Sequence, residues 1–191
     1  MRKFARGILA LGTGVAFLAA PSIAFGDDLQ FGADLSGAQE VSPAPPGGVV
    51  TAATGEIKVE FDEGLTEVKV ELVVEGLAAV NLATRAHFHC ALAGVNGPIV
   101  FGIVDPGPVD CVPADLAAGD LECTLTNADF TGADCVPTIG RPVNNIAALA
   151  FAMRDGLIYA NVHTPDNGPG EIRGQLLEAD DDEDDDDDDD D

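Results

Sequence analysis

Glu56-Ile57-Lys58-Val59-Glu60-Phe61-Asp62-Glu63-Gly64-Leu65-Thr66-Glu67-Val68-Lys69-Val70-Glu71-Leu72 alternates charged and apolar residues on both sides of a turn. A strand sends successive side chains to opposite faces. Ile57, Val59 and Phe61 therefore share one face, and Glu56, Lys58 and Glu60 share the other. Asp62-Glu63-Gly64 reads as the hairpin turn. Similar signals lie at Leu29–Leu35, Arg85–Leu92, Ile99–Val104, Leu157–His163 and Ile172–Leu177. Asn96-Gly97-Pro98 marks one more turn, and the stretch Thr164 to Gly170 another. Many short antiparallel strands predict an all-β fold, a sandwich or small barrel. Ile146, Leu149, Ala150 and Met153 fall at helical spacing, with Asn144 or Asn145 as cap and Gly156 as stop. One short helix is expected there. From Asp105 to Arg141 the chain reads as a long excursion pinned by cysteines, with one strand near Cys123–Thr126.

The chain's ends bound its class. Arg2, Lys3 and Arg6 precede an apolar run from Gly7 to Ala20, then Pro21 and Ala24-Phe25-Gly26. This is the pattern of a secretory signal peptide over residues 1–26, and the run falls short of the ~20 residues a spanning helix needs. The mature protein is expected to begin near Asp27, outside the cytoplasm, with no later membrane span. Residues 27–178 amount to one domain. Residues 179–191 form a polyacidic tail expected to be disordered.

The net charge is −25, of which residues 180–191 supply twelve acids. The mature body without its tail carries about −16. Nucleic acid and anionic membrane are thereby disfavoured as partners, whereas cations and basic extracytoplasmic proteins fit. The tail offers oxygen ligands for weak Ca²⁺ association, without the ordered spacing of a Ca²⁺-binding loop.

In an oxidising compartment Cys90, Cys111, Cys123 and Cys135 are expected to form two disulfides, with three connectivities open. Short loop closure favours Cys90–Cys111 with Cys123–Cys135. A four-thiolate zinc site is the rival, and the absence of a Cys-x-x-Cys pair speaks against it.

The three histidines are the candidate chemistry. His87 and His89 share one strand face, and His163 lies on a later strand. If the strands meet, three imidazoles converge in a set suited to copper or zinc. Tyr159, Asn161 and His163 share a face, as do Glu171, Arg173 and Gln175. A simple register sets Glu171 beside His163, where a carboxylate would fix the imidazole's tautomer, and Arg173 beside Asn161. The other reading is a polar cluster that only fixes hairpin register, with the histidines facing solvent because Phe88 and Cys90 face the core. No nucleophile elbow or phosphate loop is present.

Leu35-Ser36-Gly37-Ala38-Gln39-Glu40-Val41-Ser42-Pro43, Ala86-His87-Phe88-His89-Cys90 with Gly94 to Val100, and Asp155 to Thr164 with Gly170 to Leu176 resemble the signatures of the CHRD domain family. Ser42 stands where that family usually has proline. The resemblance spans about Leu29 to Leu177 and implies an immunoglobulin-like or barrel-like β fold with no settled biochemical activity. The leading expectation is a secreted, non-catalytic binding or structural module. The alternative is a metal-dependent redox enzyme or metal carrier using His87, His89 and His163, with Arg173 steering anions. A weaker resemblance to copper–zinc superoxide dismutase rests on the His-x-His strand, the later strand histidine and a Gly-x-x-Arg-Gly. With three histidines in the chain, a full dismutase site cannot be assembled, and fold analogy does not transfer activity.

Overall fold

The hairpin at 54–75 folds as its alternation dictates. In the computed structural model, which describes residues 29–42 and 47–179, β2 (Thr54–Phe61) and β3 (Glu67–Glu75) pair antiparallel, with Ile57 opposite Leu72, Val59 opposite Val70 and Phe61 opposite Val68. All six side chains are buried. Each such burial contributes about 1.5–3 kcal/mol. The opposite face is ionic, with Lys69 bridging Glu71 and Glu122. These pairs are exposed and add little stability. The Asp62 carboxylate closes the turn by accepting from the backbone of Gly64, Thr66 and Glu67.

The other strands are β1 (Gln30–Ser36), β4 (Arg85–Cys90), β5 (Ile99–Val104), β6 (Asp120–Thr126), β7 (Ile158–His163), β8 (Ile172–Gln175) and β9 (Leu177–Glu178). They form one sheet in the order β5-β4-β7-β8-β1-β2-β3-β6, with β9 beside β1. Its two edges approach each other. Just after β6, Phe130 bridges to Phe101 of β5, and the Thr131 hydroxyl donates to the Ile99 carbonyl. The sheet is thus a nearly closed barrel around one apolar core. Closure leaves little exposed edge for pairing with other chains.

Among the described residues there are three α-helices, α1 (Pro113–Ala118), α2 (Val136–Ile139) and α3 (Ile146–Arg154), against the single short helix expected. α3 is the expected helix. Asn145 caps it through the Ala148 amide, and Ile146, Leu149, Ala150 and Met153 enter the core. α1 and α2 have six and four residues, too few to display a helical period in a Pro- and Gly-rich stretch.

The disulfides are Cys90–Cys135 and Cys111–Cys123, which corrects the pairing favoured by loop length. Loop-closure entropy grows only logarithmically with length, so it discriminates weakly. The fold decides instead by setting Cα–Cα separations of 5.9 and 5.3 Å for these two pairs. Both bridges consume their thiolates, so the four-thiolate site does not form.

The leader, Pro43 and the acidic run from Asp180 lie outside the described residues. Among the described residues no helix is long and apolar enough to cross a membrane.

Candidate metal centre

β4, β7 and β8 lie side by side, and their two faces differ in kind. One face carries Ala86, Phe88, Cys90, Ala160, Val162 and Ile172 into the core. The other face is polar. Pairing sets Arg85 opposite His163, His87 opposite Asn161 opposite Arg173, and His89 opposite Tyr159 opposite Gln175. Register shifts in the β4–β5 pairing fall on either side of His87–Phe88. Such irregularities re-aim side chains.

This polar face is covered rather than solvated. His87, His89 and His163 are 1%, 8% and 5% exposed, so they do not face solvent. Three turns cover them: the 91–98 loop, the 105–107 turn and the 164–170 turn. Gly97 packs so closely on β4 that a Cβ there would lie 2.1 Å from the Cys90 carbonyl oxygen.

Each turn presents one backbone carbonyl to one imidazole. His87 Nε2 meets the Asp105 oxygen at 3.0 Å, His89 Nδ1 meets that of Gly97 at 2.9 Å, and His163 Nδ1 meets that of Gly168 at 2.9 Å. A carbonyl can only accept, so each of these nitrogens carries the hydrogen. The other three nitrogens, His87 Nδ1, His89 Nε2 and His163 Nε2, are then bare lone pairs. His87 Nδ1 and His163 Nε2 stand 3.0 Å apart, and His89 Nε2 is buried without a hydrogen-bond partner.

The protons do not suffice for these contacts. Three neutral imidazoles hold three protons, whereas the three carbonyls and the His87–His163 contact require four. A fourth proton would make an imidazolium, which burial opposes. Burial pushes His89 and His163 down to about 4, with neighbouring imidazoles and arginines adding to it, and lowers His87 as well. A cation set among the three lone pairs resolves the conflict. One ring nitrogen of each histidine lies within 4.8 Å of those of the other two. A metal bound at 2.0–2.1 Å needs nitrogens about 3.3–3.5 Å apart, so ring shifts on the order of an ångström suffice. Carbonyls holding the far nitrogens are the usual outer support of such ligands.

The expected neighbours play different parts. Tyr159 stacks on His89 with ring centroids 4.8 Å apart, and its hydroxyl accepts from the Gly97 amide. Arg173 covers the other face of the Tyr159 ring at 3.4 Å. Its guanidinium donates to the carbonyls of Leu92 and Val95 and to Asn96 Oδ1. At 2% exposure and committed to the 91–98 loop, Arg173 is not placed to steer anions. The register expectation for Asn161 and Arg173 matches the pairing.

Glu171 does not hold His163. Burial would raise its pKa, but its carboxylate accepts from Thr51, Asn167, Thr164 and Asn81, bonds that together keep it low. It thereby orders the 164–168 turn that carries the Gly168 carbonyl. The residue that sequence reasoning missed is Glu40. It is buried beside Asn161 Nδ2 and packed against Gly170, where a Cβ would come within 2.5 Å of its oxygen. Burial raises it to about 7, against the pull of Arg173. The only signal available was its place in the Leu35–Pro43 motif.

A surface groove of about 800 Å³ runs over β1–β3 and includes none of the histidines.

Fold and site together define a nearly closed antiparallel barrel with three imidazoles sealed beneath its turns. The family model of the CHRD domain matches residues 31–176, and the chain belongs to the CHRD domain family. No curated protein matches it.

Proposed function

We propose that this chain is a secreted, non-catalytic CHRD module that holds one transition-metal ion, copper or zinc, on His87 Nδ1, His89 Nε2 and His163 Nε2. The observation that carries this reading is the proton count: four buried contacts share three protons, His87 Nδ1 and His163 Nε2 meet at 3.0 Å, and His89 Nε2 is buried without a partner. Neutral imidazoles suit copper and zinc rather than Ca²⁺ or Mg²⁺. Secretion is supported by the leader pattern and by two disulfides, which persist in oxidising compartments. The acidic body favours cations over nucleic acid, and the tail adds at most weak oxygen-ligand binding of Ca²⁺.

The test is metal content. The mature protein, purified without a histidine tag, is offered copper and zinc, dialysed and assayed beside His87→Ala and His163→Ala, with circular dichroism to confirm folding. One equivalent retained by the parent and lost in both variants supports the reading. Retention indifferent to both substitutions assigns the metal to the carboxylates and leaves a module whose polar face only holds its loops.

A further inference from the structure

We infer that the three-histidine cluster is built for a monovalent ion, Cu(I), in preference to Zn(II) or Cu(II). The inference rests on the metal-binding reading above and names its ion. The donor set is three neutral nitrogens, and among the described residues the cluster includes no cysteine or carboxylate. The ligands therefore cancel none of the ion's charge. Burying charge is costly and the cost climbs steeply with its magnitude, so a divalent ion is penalised more than a monovalent one.

Two guanidiniums add to this. Arg85 acts on His87 and His163, and Arg173 acts on His89, each against positive charge at the cluster. Arg85 is half-buried and reaches the same Gly168 carbonyl that holds His163. Among the described residues, the one carboxylate acting the other way is that of Asp105, at His87, on an exposed residue. The Glu40 carboxylate accepts from Asn161 Nδ2 and feels the charge of Arg173, while its other oxygen is buried without a hydrogen-bond partner.

Coordination number points the same way. Zn(II) is almost always four-coordinate in proteins, with water or substrate filling any position the protein leaves open. Here three donors are sealed under three turns, and any fourth ligand has to be buried with the ion. Cu(I) is satisfied by two or three nitrogens. The three donors that Cu(I) needs are all supplied by the histidines, whose ring nitrogens lie within 4.8 Å of one another.

The experiment is a pair of anaerobic competition titrations on the full mature chain. Bicinchoninate competes for Cu(I), and a chromophoric chelator competes for Zn(II). His87→Ala is the control for metal held by the acidic tail. Arg85→Gln, which keeps all three ligands, tests the charge argument, and thermal melts confirm that both variants fold. The expected result is Cu(I) bound at least about tenfold tighter than Zn(II), with that ratio falling in Arg85→Gln. Histidine-dependent Zn(II) binding as tight as Cu(I), or a ratio indifferent to Arg85→Gln, overturns the preference and leaves the metal site standing. Failure of both ions to bind the histidines overturns the underlying reading as well.

Discussion

His89 and Tyr159 lie face to face, their rings 10° from parallel with centroids 4.8 Å apart, and both are tied to Gly97. The Gly97 carbonyl takes the His89 Nδ1 hydrogen while its amide donates to the Tyr159 hydroxyl. One residue of the 91–98 loop thus fixes a candidate ligand and the aromatic ring stacked on it.

That stacking provides a reporter. The chain has one tyrosine and no tryptophan. Cu(II), whose open d shell quenches a neighbouring ring, is expected to quench most of the intrinsic emission when bound at the histidines, saturating at one equivalent, and the closed-shell Zn(II) to leave it nearly unchanged. A fluorescence titration reads this directly. Undiminished emission at saturating, retained Cu(II) would put the ion elsewhere.

Gly97→Ala is expected to weaken metal binding without touching a ligand. The added Cβ would lie 2.1 Å from the Cys90 carbonyl oxygen, so the loop must lift away from β4. Overpacking of this kind costs about 1–3 kcal/mol. Chemical denaturation gives the stability loss, and metal competition gives the affinity loss. Unchanged affinity would show that the Gly97 carbonyl does not set the His89 tautomer.

The two disulfides are expected to contribute unequally. Cys90–Cys135 closes a separation of 45 residues and Cys111–Cys123 one of 12. Chain entropy assigns them about 4 and about 3 kcal/mol. Double Cys→Ser variants, compared by denaturant melts, check the order. The Cys90 pair is also expected to affect metal retention, because Cys90 follows His89 on β4.

Stability is expected to change with pH in opposite directions through two sets of groups. Glu40 is raised from 4.5 to about 7, so the folded state holds its proton more tightly. Its contribution is fully present below pH 4.5 and is lost as pH rises through 7. His89 and His163 are lowered from 6.5 to about 4, so theirs is present above 6.5 and lost as pH falls through 4. Glu40→Gln is expected to remove the first effect, gaining on the order of 2 kcal/mol relative to the parent above pH 7. Denaturant melts of metal-free protein across pH 4–8 measure it. A gain independent of pH would contradict the assignment.

Much of this was legible in the sequence, for identifiable reasons. Alternation of Ile57, Val59 and Phe61 with charged residues reports a half-buried strand directly. The i, i+2 spacing of His87 and His89 fixes their shared face, and the polar rows of the last two long strands fix the Asn161–Arg173 pairing. The support of the imidazoles was not legible. Asp105, Gly97 and Gly168 act through backbone carbonyls, which carry no residue signature. Glu40 meets Asn161 across 121 positions of chain, a contact that the β7-β8-β1 order of the sheet creates. Burial of the histidines followed from loops crossing the sheet, which strand periodicity cannot foresee.

The most direct test of the metal assignment is the X-ray absorption spectrum of the copper-loaded mature protein. The structure predicts a shell of nitrogens at ~2.0 Å with imidazole outer-shell scattering, lost in His87→Ala and in His163→Ala. A shell of oxygens alone that survives both substitutions would place the metal on carboxylates and contradict it.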